Sequence, residues 1–138
     1  MGLIYLDSCV LIYLVQRDPV YGDRILQAIA ENPDAKFAIS PLVELECLVK
    51  PLKDQDSVLE TNFRRTFQSM VSVPVTAQSF ENAARLRAQF GLRTPDALHL
   101  AIARQAECLA LWTNDARFAQ AAPGFTVNIS APDRDRRI

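Results

Sequence analysis

The sequence predicts an α/β protein: a three-layer sandwich in which a mostly parallel, roughly five-stranded sheet is flanked by helices. Three observations carry that prediction. Short apolar runs of strand length alternate along the chain with segments whose apolar residues recur at helical spacing. The strand-like runs Leu3 to Leu6 and Phe37 to Ile39 are apolar throughout, the pattern of strands buried on both faces of a parallel sheet. A length of 138 residues, 49% of them apolar and 22% charged, is that of one globular domain with one core.

Taken in order, Leu3 to Leu6 is a buried strand with Asp7 at its carboxyl end. Cys9 to Val15 is apolar all round and too long for another strand, so a buried helix is expected. Asp18-Pro19 is an N-cap and first-turn pair; Ile25, Leu26, Ile29 and Ala30 then form an apolar stripe ending near Asn32-Pro33. Phe37 to Ile39 is the second strand. Ser40-Pro41 opens a helix in the same manner, and that helix carries Glu44 and Glu46 before Pro51 stops it.

Leu59, Phe63, Phe67 and Met70 recur at four, four and three residues, one face of a long helix. Val71 to Val75 is a third, short strand. Phe80, Ala83, Ala84, Leu86 and Phe90 give the next helix, closed by Gly91. Thr94-Pro95 caps and starts a helix that runs through Asp96 and His99 to about Glu107. Leu109 to Thr113 is a fourth strand with Asp115 just beyond it, and Phe125 to Ile129 is a fifth.

Residues 1–130 therefore form a single domain. In 131–138, Pro132 and alternating Asp and Arg leave little to bury, and a frayed tail is expected. The formal charge of −1 gives no global attraction to polyanions, so a nucleic acid would be held by local basic patches or through metal. Arg64, Arg65, Arg85, Arg87 and Arg93 are too scattered in sequence to define such a patch. Cys9, Cys47 and Cys108 are an odd number without C-x-x-C spacing, which points to buried thiols in a reducing compartment. The run Val10 to Val15 is too short to span a bilayer, and the N-terminus has neither a basic n-region nor a small-residue cleavage site. A cytoplasmic, soluble protein with no membrane association is expected.

In a parallel α/β sheet, ligands collect outside the carboxyl ends of the strands. Asp7 ends the first strand, Asp115 follows the fourth, Asp96 lies in the first turn of a helix, and Glu46 lies on the helix after the second strand. All four can converge on one edge. Mg²⁺ takes hard oxygen ligands and is usually held by carboxylates together with the substrate's phosphates. Four carboxylates without cysteine or histidine partners suit Mg²⁺ or Mn²⁺ and argue against zinc. Such ions activate water, steady the attacked phosphate and stabilise the leaving oxygen, so no side-chain nucleophile is needed. The chain accordingly has no G-x-S-x-G and no phosphate-binding glycine loop. Each acid alone also has a structural reading: an Asp at a strand end forms turns, Asp96 complements its helix dipole, and Glu44 with Glu46 can be a solvated face.

The wording around each acid adds to this. Tyr5-Leu6-Asp7-Ser8-Cys9-Val10-Leu11-Ile12, Ile39-Ser40-Pro41-Leu42-Val43-Glu44-Leu45-Glu46, Thr94-Pro95-Asp96-Ala97-Leu98-His99-Leu100-Ala101 and Trp112-Thr113-Asn114-Asp115-Ala116-Arg117-Phe118 resemble, in order and interval, the four motifs of PIN-domain nucleases. The length and the lack of a fused domain resemble the VapC toxins of bacterial and archaeal toxin–antitoxin pairs. The resemblance covers the chain as far as Ile129, and Asp-Ala-Leu-His-Leu-Ala is its most specific piece.

The resemblance implies a PIN-like fold and a metal-dependent endoribonuclease that uses Mg²⁺, with Mn²⁺ as a substitute. It implies that Asp7, Glu46 and Asp96 are the principal metal-binding acids and Asp115 the fourth. The family's glutamate follows a serine by six residues, which selects Glu46 over Glu44. Ser8, Thr113 and Asn114 match positions that support the site by orienting Asp7 and Asp115. RNA as substrate, a small antitoxin protein as partner and a homodimer are implied in the same way. His99, one turn after Asp96 on a nearly all-apolar helix, is expected in the core or supporting the site rather than as a ligand.

Three other readings compete. A phospho-acceptor receiver domain would need an acidic pair at the end of the first strand, where this chain has Leu6-Asp7-Ser8. A PIN fold kept only for binding or scaffolding would be expected to have lost an acid, and all four are present. An RNA-processing nuclease that is not a toxin shares every motif, and only size and isolation favour the toxin.

Overall fold

In the computed structural model, which describes residues 2–129, strands and helices alternate along the whole chain. The order is β1 (Leu3–Leu6), α1 (Ser8–Gln16), α2 (Gly22–Ala30), β2 (Lys36–Ile39), α3 (Pro41–Lys53), α4 (Ser57–Gln68), β3 (Val71–Ser72), α5 (Ala77–Phe90), α6 (Thr94–Gln105), β4 (Ala110–Thr113), α7 (Ala116–Ala121) and β5 (Thr126–Asn128). The tail expected over 131–138 lies outside the described residues. No helix among the described residues is long and apolar enough to cross a membrane.

The five strands form one sheet in the order β3-β2-β1-β4-β5, and every pairing is parallel. Tyr5 of β1 stands opposite Ala38 on one side and Leu111 on the other. From β1 the chain works outward through β2 to β3, then crosses back to β4 and outward again to β5. Right-handed crossovers place the helices of the first excursion on one face and those of the second on the other. The result is the expected three-layer α/β sandwich. The strand order reverses between β1 and β4, so the segments leaving their carboxyl ends diverge to opposite faces. A crevice opens there, the switch point at which such sheets hold ligands. Asp7 and Asp115 are the acids just past these two strand ends.

The core follows from the sequence pattern. Tyr5, Leu6, Leu11, Ile39, Phe63, Leu100, Ile102, Leu111 and Phe118 are fully buried. Helix α6 is enclosed: every residue from Asp96 to Ala103 is buried, as its nearly uninterrupted apolar sequence requires. This enclosure places Asp96 and His99 inside the molecule, one turn apart. Gly91 closes α5 in the left-handed conformation, at φ 67°, where a side chain would be strained.

Five local expectations need correction. Asp18 does not cap α2: its carboxylate accepts the N–H groups of Val20 and Tyr21 at 2.9 and 2.8 Å, forming a turn, and the helix starts at Gly22. Pro51 does not stop α3, which continues to Lys53. The missing N–H falls in the last turn, and the next amides still reach back, Asp54 to the Lys50 carbonyl at 2.9 Å. Strand β3 is two residues long, because Pro74 cannot extend the ladder, although the Val73 N–H still reaches the Ile39 carbonyl at 2.8 Å. Thr94 is the first residue of α6 and Arg93 precedes it as the cap; the Thr94 hydroxyl instead accepts from Arg87 Nη1 at 2.9 Å. Helix α7 was not foreseen, since six residues are too few for a period, though its cap, Asp115, is a standard start signal.

The three cysteines are free; Cys47 and Cys108 are buried and Cys9 is partly so. Burial pushes the Cys47 thiol up to about 12 and that of Cys108 to about 11, and raises Cys9 well above its usual value. Thiols this hard to ionise are unreactive packing groups at neutral pH.

Candidate active site

Asp7 is fixed by the sheet and by the helix it starts. Its N–H donates to the Trp112 carbonyl at 2.9 Å, prolonging the β1–β4 pairing by one residue. Its Oδ1 accepts from the Ser8 N–H at 2.8 Å as the cap of α1, and its Oδ2 accepts from the Thr113 hydroxyl at 2.8 Å. Thr113, the last residue of β4, is fully buried. Its oxygen also accepts the Asp115 N–H at 3.1 Å, so one hydroxyl joins the acids from both sides of the switch point. Asp115 Oδ1 in turn caps α7 through the N–H groups of Arg117 and Phe118, at 2.9 and 3.4 Å.

Asp96 arrives from α6. Its Oδ2 accepts from Arg93 Nε at 3.0 Å, while Nη2 of the same guanidinium lies 3.3 Å from Asp115 Oδ2. Glu46 arrives from α3, and its Oε1 lies 2.6 Å from His99 Nε2. That nitrogen is also 3.6 Å from Asp7 Oδ1. Ligand atoms of Asp7, Glu46 and His99 all lie within 4.8 Å of one another.

The structure therefore brings the four predicted acids together in two linked sets. Asp7 and Glu46 meet around His99, Asp96 and Asp115 share Arg93, and Thr113 connects the sets. Ser8 supports the site by its amide on Asp7, and it helps to hold the Glu46 carboxyl low. Asn114 faces elsewhere, its amide donating to the Tyr13 hydroxyl at 3.0 Å. Glu44 lines a different cleft, with Arg64, Phe67 and Ser72. Two residues carry more of the site than their sequence positions alone assign them. Arg93 precedes Asp96 by three residues, a spacing at which opposite charges meet at a helix start. His99 follows Asp96 by three and shares its face.

The electrostatics distinguish the acids. Burial alone would raise the Glu46 carboxyl, but the hydrogen bond and charge of His99, with Ser8 and Arg93, bring it below its ordinary value. Asp96 goes the other way. Burial raises its carboxyl, the charges of Asp7 and Asp115 add to the rise, and Arg93 only partly offsets it. A carboxylate held up first by burial and then by acidic neighbours, despite Arg93, is in a site short of positive charge. Four hard oxygen donors without a thiolate fit Mg²⁺ or Mn²⁺, and a nearby imidazole is compatible with Mn²⁺.

A profile of the PIN-domain family matches residues 4–123. The chain belongs to that family. Solved structures of similar fold agree with it. A toxin–antitoxin complex from Klebsiella pneumoniae superposes with a TM-score of 0.75 at 24% identity, covering 91% of this chain and 97% of that one. VapBC2 from Rickettsia felis, bound to a DNA fragment from its promoter, gives 0.72 at 16%, covering 90% and 96%. VapC20 of Mycobacterium tuberculosis, described as a toxin that cleaves the sarcin–ricin loop, gives 0.71 at 17%, covering 86% and 95%. At these identities the likeness concerns the fold. A search of curated proteins by sequence finds no match.

In this PIN domain Asp96 and Asp115 line a cleft of about 370 Å³ together with Leu92, Arg93, Arg117 and Phe118. Two carboxylates and two arginines thus share its lining. An anionic ligand can approach along the arginines, while the carboxylates repel it unless a cation lies between.

Proposed function

We propose that this PIN-domain protein is a metal-dependent endoribonuclease, the toxin of a toxin–antitoxin pair. The observation that carries the reading is the convergence of Asp7, Glu46, Asp96 and Asp115, from four separate elements, on the switch point between β1 and β4. These residues would hold Mg²⁺, or Mn²⁺ in its place. The ion, when bound, supplies Lewis acidity and neutralises phosphodiester charge.

The protein's own groups do the rest. Thr113 and Ser8 keep Asp7 in one orientation. Arg93 and Arg117 give the backbone phosphates a positive wall. RNA is the substrate favoured by the likeness to a toxin described as cleaving the sarcin–ricin loop. Incubation of the purified protein with total RNA in Mg²⁺, Mn²⁺ or EDTA, followed by mapping of new ends, tests this. Discrete internal ends in either metal and none in EDTA are expected; full-rate cleavage in EDTA would overturn the metal requirement.

A small antitoxin is the expected partner, since several structures of similar fold are toxin–antitoxin complexes. Leu45, Val49 and Leu52, at spacings of four and three, form an exposed stripe on α3, the helix of Glu46. An apolar helix or strand of the antitoxin laid there could direct a basic side chain at the carboxylates. Co-expression with the adjoining small open reading frame should yield a stable complex that suppresses cleavage, and the free protein should run as a homodimer. A monomer that copurifies with nothing and is harmless to its host would contradict this part of the reading.

A further inference from the structure

A buried row of polar groups runs from the core to the site. Ser40 Oγ lies 2.7 Å from the Tyr5 hydroxyl, which lies 2.8 Å from His99 Nδ1; His99 Nε2 lies 2.6 Å from Glu46 Oε1. Ser40 and Tyr5 are fully inaccessible and His99 is 1% exposed. The four residues come from α3 and its cap, β1 and α6, so no local turn geometry explains their alignment.

The donor facing Glu46 can be assigned. A carboxylate only accepts, so Nε2 carries the proton. The other ring nitrogen, Nδ1, is held by the Tyr5 hydroxyl, which Ser40 Oγ holds in turn. The Ser40 oxygen also accepts the Val43 N–H at 3.5 Å. The row thus ends on an N–H aimed at Glu46.

Glu46 needs such a hold. Its side chain remains 27% exposed on a helix whose neighbouring acid, Glu44, lines another cleft. A glutamate has three side-chain torsions, and a hydrogen bond from a buried, immobile ring selects among them. We infer that His99, braced by Tyr5 and Ser40, is the positioning residue that aims Glu46 into the cation site. This rests on the reading of Glu46 as a metal ligand. His99 thereby acts on the metal through another residue rather than as a ligand itself, and the row explains why a buried helix keeps a polar side chain at this position.

A double-mutant cycle on Mn²⁺ affinity, measured without RNA by calorimetry or electron paramagnetic resonance, tests the inference. His99→Leu should weaken Mn²⁺ binding roughly ten- to a hundredfold, the range for residues that orient a ligand. In a Glu46→Gln background the same change should have almost no further effect. His99→Gln, which can still present an N–H to Glu46, should restore most of the affinity. Tyr5→Phe keeps the ring and removes only the brace; it should weaken binding several-fold with Glu46 present and not in the Glu46→Gln background. That variant keeps the test decisive if His99→Leu does not fold. If Glu46→Gln weakens binding but the His99 and Tyr5 changes do not, or if their effects simply add to it, the inference falls and the ligand reading stands. If Glu46→Gln leaves Mn²⁺ affinity unchanged, the ligand reading falls and takes the inference with it.

Discussion

Asp96→Asn is expected to abolish RNA cleavage while leaving the metal-free fold at least as stable as the parent. The substitution keeps the shape of the side chain and its place in the first turn of α6, and removes one charge from the centre of the site. Two carboxylates ~5 Å apart at an effective dielectric of ~20 repel by roughly 3 kcal/mol before relaxation reduces it. Asp96 registers that strain, its carboxyl raised by burial and by Asp7 and Asp115 more than Arg93 lowers it. A carboxyl raised on folding favours the fold while protonated, at pH below its unfolded value, and that contribution is lost as pH rises through the folded value. In EDTA, parent and variant should therefore converge in stability at acid pH and separate toward neutrality, with the variant ahead. Arg93 loses a partner but is 73% exposed, so water replaces the bond at little cost. Denaturant titrations across pH check the sign; the cleavage assay checks the activity.

Thr113→Val should be the most damaging change that touches no charge. Valine has nearly the same shape but leaves the buried Asp7 Oδ2 without its donor and the part-buried Asp115 N–H without its acceptor. A buried polar group left unpaired costs about 1–3 kcal/mol. A fall in Tm of roughly 5–10 °C is expected for a domain of this size, with Mg²⁺ affinity down by roughly tenfold or more because Asp7 loses its orientation. Thr113→Ser keeps the hydroxyl and should stay close to the parent in affinity. A Thr113→Val protein that melts and binds Mg²⁺ like the parent would show that the hydroxyl does not tie the two acids together.

Much of the fold was legible because burial leaves a strong pattern. Leu3–Leu6 and Ala110 to Trp112 are apolar because β1 and β4 are neighbours inside the sheet, and the acids that follow these strands mark the switch point. Failures came where one residue type serves two structures. Asp18 could cap a helix or close a turn, and it closes the turn. Pro51 is tolerated in a final helical turn that the sequence cannot distinguish from an interruption. Glu44 and Glu46 are both placed on α3 by periodicity, and only the family spacing preferred Glu46; in the fold the difference is that His99 reaches one and Arg64 borders the other. His99 itself was obscured by its surroundings, because a helix apolar on every side gives no face to read. Arg93 reads in the sequence only as one of several scattered arginines, because its link to Asp115 spans 22 residues and exists only after β4 and α6 have packed.

The central claim is that these acids form one cation site within the fold, and thermal melts of the parent and of Asp96→Asn, each in EDTA and in rising Mg²⁺, test it most directly. An ion that binds only the folded state adds stability that grows with its concentration, about 2.7 kcal/mol at a hundred times the dissociation constant. The parent should climb with Mg²⁺ in this way, while the variant should start level with it or above in EDTA and gain little. A variant that melts well below the parent in EDTA, with both responding alike to Mg²⁺, would mean that Asp96 serves the fold as a cap or ion-pair partner and is no part of a cation site.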